Sequence, residues 1–168
     1  LFNLGVEKVI INTSAFTTPD LIKEASKVAG SQSIVVSMDV KKTLFGNYEV
    51  FTENGSSRTK ITPVDYARRM EDLGAGELIL CSIANEGIGK GYDLKLLDLV
   101  CSCVGIPVVA LGGCGSLDDM ADAVDTGGAS AVAAGNLFVF HGKLKAVLIT
   151  YPKYAELTKV LGVKSRND

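Results

Sequence analysis

The sequence predicts an α/β fold in which about five βα units build a parallel sheet, as in part of a β/α barrel. Short apolar runs rich in Val and Ile alternate with segments of helical periodicity. The runs show little period-two alternation, which is typical of strands buried on both faces of a parallel sheet. At 168 residues and 47% hydrophobic content, the chain can bury the core of one domain over residues 1–168.

The apolar runs predict the strands in chain order. Each is short and apolar, with Val and Ile common. The five predicted strands cover residues 6–13, 33–40, 77–83, 106–112 and 130–135.

Capping residues mark where the helices begin. Thr-Pro pairs, at which a Thr caps the helix and Pro takes the first helical position, occur at 18–19 and 62–63. Asp93 opens a third helix, and Ser116 with Asp119 three residues later forms a capping box for a fourth. The predicted helices run over residues 19–28, from 63 to the stop at Gly74, from 93 to about 104, from 116 to 127–128, and over 153–161.

One insertion separates the second strand from its helix. Residues 44–52 alternate in polarity, and the turn pairs Gly46-Asn47 and Asn54-Gly55 flank their second half. These signals predict a β-hairpin near residues 43–55, above the sheet.

The composition argues against a nucleic-acid-binding protein and against a membrane protein. The chain carries 17 basic and 19 acidic residues, a net charge of −2, without a basic run, so the footprint of a nucleic-acid-binding protein is missing. No apolar stretch approaches the roughly 20 residues that span a bilayer, and the sequence predicts neither a signal peptide nor a membrane span. We therefore expect a cytoplasmic protein.

The cysteines and the single His do not have the spacing of a zinc site. We expect no metal and no cofactor. The four cysteines are interpreted as reduced core residues: Cys81, Cys101, Cys103 and Cys114.

Five βα units cannot close a barrel, which needs about eight strands. Open hydrophobic edge strands favour pairing with another chain, so we expect a homo-oligomer. The first residues run directly into a strand without an initiator Met, which suggests an N-terminally truncated chain.

In parallel β/α proteins the chemistry lies at the carboxyl ends of the strands. Asp39 ends the apolar run IVVSM there, where partial desolvation would raise its pKa into the range of a general base. The alternative is a carboxylate that binds loop amides. Asn12 and Thr13 end the first strand, and Glu86 in the Gly-rich loop after the third strand is either a second acid–base or ribose-binding carboxylate or a solvated charge.

Two glycine-containing strand ends predict a phosphate site. Gly112 and Gly113 precede a helix, and Gly135 with Asn136 ends the next strand. Backbone amides in such turns can approach a phosphate closely, and the loops after the last two strands of a β/α barrel often bind one. Tight turns without a ligand are the alternative.

Lys8 and Glu77 begin their strands and therefore lie at the opposite, amino-terminal end. They are interpreted either as a structural ion pair or as a gate into the barrel interior. His141 lies beyond the last predicted strand and is interpreted as structural.

Read together, several segments resemble the cyclase subunit of imidazole glycerol phosphate synthase, the HisF family, a TIM-type barrel. They occur in the family's order from about residue 5 to residue 140 and read EKVIINT, SIVVSMDVK, FTENG, GAGELILCSI, GIGKGYD, IPVVALGGCGS and GASAVAAGNLF. The resemblance implies strands 4–8 of the barrel and an N-terminal part of about 90 residues outside this chain, three βα units of a typical barrel.

The resemblance also implies an activity. The family uses ammonia from a glutaminase subunit to convert a phosphoribulosyl aminoimidazole carboxamide ribotide into imidazole glycerol phosphate. It implies Asp39 as one of two catalytic aspartates, with the other on the absent first strand, and Lys8 and Glu77 as part of the ammonia gate. The implied phosphate- and substrate-binding residues are Asn12, Thr13, Asn54, Cys81, Glu86, Gly87, Gly112, Gly113, Gly135 and Asn136.

The chain departs from the family at residues 84–86. The family's Ser-Ile-Asp-Arg-Asp-Gly-Thr segment here loses one Asp and the Arg and has Glu86 for the other Asp. The tail at 138–152 is similar to a paralogous branch associated with amidation of surface-polysaccharide sugars. The hypotheses are thus a cyclase, an ammonia-delivering partner in sugar amidation, or an inactive phosphate-binding fragment.

Overall fold

Parallel strands form the body of the molecule. The computed structural model describes residues 2–142 and 144–162. The strands of the main sheet are, in chain order, β1 (Val9–Ile11), β2 (Ile34–Lys42), β3 (Tyr48–Thr52), β4 (Ser57–Arg58), β5 (Glu77–Ser82), β6 (Val108–Leu111) and β7 (Ala131–Ala133).

The strand order confirms the predicted α/β fold. β1, β2, β5, β6 and β7 are parallel neighbours in this order, and β3 and β4 extend the sheet as an antiparallel hairpin. Among the described residues β1 and β7 do not pair with each other, so the sheet is open at both ends. This is the arrangement expected for consecutive strands of a barrel that do not close it.

The predicted hairpin insertion is present. β2 continues to Lys42, beyond the predicted end at Val40, because its last residues pair with β3, from Asp39 opposite Phe51 to Lys42 opposite Tyr48. The chain reverses at Gly46, whose φ of +82° favours glycine.

β1 is shorter than predicted. Only Val9–Ile11 pair with β2, opposite its first three residues. β3 pairs with the same edge of β2 from Asp39 onward. Since the hairpin takes the upper part of that edge, β1 finds backbone partners only along the lower part.

Helices follow most of the strands and pack on one face of the sheet. Their bounds are α1 (Thr13–Thr17), α2 (Asp20–Ala29), α3 (Pro63–Asp72), α4 (Leu94–Cys101), α5 (Leu117–Asp125), α6 (Asn136–Val139) and α7 (Tyr154–Leu161).

Three of the predicted caps are confirmed. The Thr62 and Asp93 side chains accept hydrogen bonds from the first turns of α3 and α4, and Ser116 and Asp119 form the capping box of α5. The predicted Thr18 cap is wrong, because α2 begins one residue later and its N-cap position is Pro19, which has no side-chain acceptor. α4 also ends before the predicted residue 104, since the chain uses residues 102–107 to return to β6.

The sequence did not predict α1, α6, the 3-10 helices Phe2–Leu4 and Ser31–Ser33, or a separate hairpin of β8 (Phe140–His141) with β9 (Ala146–Val147). His141 lies on β8 and is exposed, outside the site at the carboxyl ends of the parallel strands. These elements contain too few residues for a periodic pattern to reveal them.

The core lies between the sheet and the helices. Ile34, Val36, Met38 and Val40 of β2 alternate towards this layer and are at most 1% exposed. Tyr66 and Met70 of α3 pack in the same cluster, and burial raises the pKa of Tyr66 to about 12. The other face of the sheet is less covered. On this face the expectation of buried strands holds for Val35 and Cys81, which are 2% and 3% exposed, whereas Ser37 and Ile79 are only partly covered.

Membrane spans are absent from the described part of the chain: none of its helices is both long and apolar enough to cross a bilayer.

Replacing Met70 with Ala should lower the free energy of unfolding by about 2–5 kcal/mol, because the fully buried side chain leaves a cavity between α3 and the sheet. Val28→Ala on α2 is the control, since Val28 is 86% exposed and should change stability by less than about 0.5 kcal/mol. Urea denaturation followed by circular dichroism measures both. Equal effects of the two substitutions would contradict the assigned core.

Candidate functional site

Two adjoining cavities open at the carboxyl edge of the parallel strands. The first, of about 380 Å³, lies between the loops after β6 and β7, and we call it the glycine cavity. The second, of about 550 Å³, surrounds Asp39, and we call it the aspartate cavity. Glu86 and Leu111 line both cavities, so the two form one continuous site.

The structure brings most of the predicted site residues into these cavities. Glu86, Gly87, Gly112, Gly113, Gly135 and Asn136 line the glycine cavity. The aspartate cavity is lined by Asp39 together with Asn12, Asn54, Cys81 and Glu86. The convergence follows from the topology, because the carboxyl ends of parallel neighbours meet at one edge of the sheet.

Asp39 is nearly buried, with 8% of its surface exposed. Its Oδ1 accepts a hydrogen bond from Asn12 Nδ2 at 3.3 Å, and the same amide lies 3.5 Å from Ser37 Oγ. Burial raises the pKa of Asp39, the Asn12 hydrogen bond lowers it, and the nearby negative charge of Glu86 raises it, with a net upward shift. Asp39 can therefore hold or release a proton closer to neutral pH than an exposed Asp.

Cys81 on β5 lies next to Asp39 on β2, since the two residues are paired in the register of these adjacent strands. Burial raises the pKa of the Cys81 thiol well above its ordinary value, and the charges of Glu86 and Asp39 raise it further. The thiol thus stays protonated at neutral pH and is a polar wall of the cavity rather than a nucleophile.

The remaining cysteines only partly match the core interpretation. Cys114 is buried beside the glycine cavity, whereas Cys101 and Cys103 are half-buried. All four are free thiols. In the described part of the chain no group of three or more His, Cys, Asp or Glu side chains could hold a metal ion.

The two glycine-rich loops interlock through their backbones. Gly91 N donates to Gly113 O at 2.9 Å. A Cβ on Gly113 would lie 2.2 Å from Gly91 O, and one on Gly115 would lie 2.3 Å from Gly89 O. Gly113 also has φ +112°. Loop packing alone therefore requires glycine at 113 and 115, whatever the loops bind.

Gly135 differs from these glycines. A Cβ there would meet nothing within 4 Å, and no positive φ requires glycine. The open space lies on the glycine cavity, so packing does not explain this residue.

Two amides near the start of α5 are already bonded. Gly115 N and Ser116 N donate to Asp119 Oδ2 at 2.8 and 2.9 Å. Any anion in the glycine cavity must therefore use other backbone amides of the loops that line it.

Thr13 lies outside both cavities. It begins α1, and its Oγ1 accepts a hydrogen bond from Glu53 N of the hairpin at 3.1 Å. This hydrogen bond joins the end of β1 to the hairpin. Asn54, the residue after Glu53, lines the aspartate cavity.

Lys8 and Glu77 form an ion pair at the opposite edge of the sheet. Their side chains are 49% and 20% exposed. The two charges, which were expected to be buried, are therefore partly exposed to solvent. The open sheet does not enclose the face on which they lie. The ion pair is present, as the structural interpretation predicted, and the interpretation as a gate stays a prediction.

Six residues that line the aspartate cavity were missed: Ser37, Lys41, Gly55, Ile83, Ala84 and Leu111. Ser37 and Lys41 lie two residues on either side of Asp39 along β2, and side chains in a strand alternate between faces. That period-two pattern was a usable signal, but it required knowing that β2 continues to Lys42.

Comparison with known proteins shows what this chain is similar to. A sequence model of the family described as "Histidine biosynthesis protein" matches residues 1–145. A Pseudomonas aeruginosa protein provisionally named imidazole glycerol phosphate synthase subunit hisF2 is 46% identical over 157 residues, covering 94% of this chain and 62% of the relative.

Two proteins named imidazole glycerol phosphate synthase subunit HisF show similar identity. The protein of Alkaliphilus metalliredigens is 43% identical over 137 residues, covering 82% of this chain and 54% of its own length. The protein of Petrotoga mobilis is 42% identical over 142 residues, covering 84% and 55%. The chain therefore spans between half and two thirds of the length of these relatives.

Gly113→Ala should destabilise the protein by about 1–3 kcal/mol, because a side chain at positive φ is strained and collides with the backbone of Gly91. Gly135→Ala is the matched control and should leave stability unchanged within about 0.5 kcal/mol. Urea denaturation of the two variants measures the difference. A tolerated Gly113→Ala would show that the loops do not interlock as described.

Proposed function

This chain belongs to the histidine biosynthesis protein family, and from that membership we propose that it supplies cyclase chemistry of imidazole glycerol phosphate synthase. In this reaction ammonia is added to a phosphoribulosyl aminoimidazole carboxamide ribotide, and the products are imidazole glycerol phosphate and the aminoimidazole carboxamide ribotide. The chain represents part of the length of its relatives, and the rest of the barrel would complete the site.

The pair of joined cavities supports this proposal. A desolvated aspartate lies in one and glycine amides line the other, with Glu86 and Leu111 between them. A substrate with a phosphate at each end needs an anion site on both flanks of the reacting centre. Gly113 and Gly135 suit one flank, and Asn12 suits the other.

Asp39 is the acid–base residue of the proposal. Its raised pKa allows the carboxylate to accept a proton as ammonia adds to the substrate and to return that proton as the imidazole ring closes. Glu86 lies close enough for its negative charge to contribute to the raised pKa of Asp39.

Ammonia would reach Asp39 along the inner face of the sheet. The Lys8–Glu77 pair lies at the amino-terminal edge, and Val35, opposite Glu77 in the register, is buried beneath it. We assign the glutaminase partner to this edge. The ion pair would then act as the entrance through which ammonia passes.

We also propose that the isolated chain forms homo-oligomers. β1 and β7 have no strand on their outer edges among the described residues, and Ile10 of β1 is 60% exposed. Pairing of these edges between copies would satisfy their backbone groups and cover the inner face.

Asp39→Asn should abolish ammonium-dependent turnover of the ribotide, because the amide cannot accept the proton, while ribotide binding persists. The assay mixes this chain with the part of a relative that it does not cover and follows product formation. The unsubstituted complex should lose activity as pH falls through a pKa above 3.8, the ordinary value for Asp.

Ser37→Ala is the control, since it removes a polar neighbour of Asn12 and keeps the carboxylate. Full turnover in Asp39→Asn would contradict the acid–base assignment. Absence of turnover in every variant, with glutaminase stimulation retained, would favour ammonia delivery instead.

Size-exclusion chromatography with light scattering should give a mass above the 17.7 kDa of one chain. Ile10→Lys should shift the mass towards that of the monomer, since it places a charge on the inner face beside the β1 edge. Val28→Lys, on the exposed surface of α2, should have no effect. A monomer at all concentrations would contradict the oligomer.

A further inference from the structure

Lys41 is the one basic side chain that lines either cavity in the part of the chain that the structure describes. The same cavities contain the carboxylates of Asp39 and Glu86. An anionic substrate would meet a negatively charged site unless a cation offsets these charges. Among the described residues that line the cavities, Lys41 is therefore the one whose charge attracts an anionic substrate.

The position of Lys41 follows from the geometry of β2. It is two residues beyond Asp39 on the same face of the strand, and thus about 7 Å closer to the mouth of the site. It contacts the hairpin rather than the glycine loops, because β3 pairs with this end of β2.

Local contacts hold the Lys41 ammonium in place. Nζ donates to Gly55 O at 3.0 Å and lies 4.2 Å from the centre of the Phe51 ring. Within the described residues no carboxylate lies within 4 Å of this nitrogen. An ammonium has three N–H donors, so this arrangement leaves donors for a ligand.

The hairpin places Lys41 on the Asn12 side of the site. β1 and β3 pair with the same edge of β2, and Glu53 N donates to Thr13 Oγ1. The glycine cavity lies across β5 and β6, on the other side of Asp39. The two flanks therefore differ: one offers backbone amides and the other offers the Lys41 ammonium, since the Asn12 side-chain amide already donates to Asp39 and Ser37.

We propose that Lys41 binds a phosphate group of the substrate on the Asn12 flank of the aspartate cavity. This assignment rests on the proposed function, since it takes a doubly phosphorylated ribotide as the ligand. A charge-assisted hydrogen bond from Lys41 compensates for the two carboxylates and orients the substrate across Asp39. The glycine amides then receive the phosphate at the other end.

Lys42 provides a matched control in the next position. Its side chain is on the opposite face of β2, where Nζ lies 3.7 Å from Asp93 Oδ2 and 4.9 Å from the centre of the Tyr48 ring. It lines neither cavity. The two lysines have the same charge and adjacent positions but different surroundings.

Calorimetric titration of the chain with the ribotide tests the assignment. Lys41→Met should weaken binding about 10- to 100-fold, as expected for loss of one charge-assisted hydrogen bond in a partly buried site. Lys41→Arg should weaken it less, and Lys42→Met should leave it unchanged. The affinity of the unsubstituted chain should fall with added salt, and Lys41→Met should reduce that dependence.

Thermal unfolding monitored by circular dichroism verifies that each variant folds. Unchanged ribotide affinity in a folded Lys41→Met variant would overturn the role of Lys41 and leave the proposed function intact. Equal weakening by Lys41→Met and Lys42→Met would also overturn it, because a general charge effect would then suffice. Failure of the unsubstituted chain to bind the ribotide, both alone and after mixing with the part of a relative that it does not cover, would overturn the proposed function and this assignment together.

Discussion

The alternation of side chains along β2 fixes the positions of both the core and the candidate site. Successive side chains of a strand lie on opposite faces, so Val36, Met38 and Val40 enter the core while Asp39 and Lys41 enter the aspartate cavity. The apolar positions fix the register of the strand, since a slip of one residue would bury the charged positions. Core packing thus determines where the candidate site residues lie.

The same strand also organises its neighbours. Along one edge of β2, the first residues pair with β1 and the last residues pair with β3. The other edge pairs with β5. This division shortens β1 and carries the hairpin over the mouth of the site, where Gly55 and Phe51 hold the Lys41 ammonium. The insertion after β2 is therefore part of the site rather than an appendage.

The glycine loops illustrate how packing and binding can require the same residue type. Gly113 and Gly115 must be glycine because another loop approaches them closely, whereas Gly135 faces open space on the cavity. A Gly-rich pattern in a sequence therefore cannot by itself be attributed to phosphate. The distinction needs the distance from each missing Cβ to the opposing backbone.

Local sequence patterns predicted the parallel strands, the capped helices, the hairpin and the carboxyl-end residues, because apolar periodicity, caps and turn pairs act over a few neighbouring residues. Asp39, Gly113 and Gly135 were found in this way. The folded arrangement was needed to show that Asn12 donates to Asp39, that Thr13 contacts the hairpin instead of lining a cavity, and that Lys41 lines the aspartate cavity. These contacts join residues far apart in the chain, and their geometry depends on strand register, which local patterns do not encode.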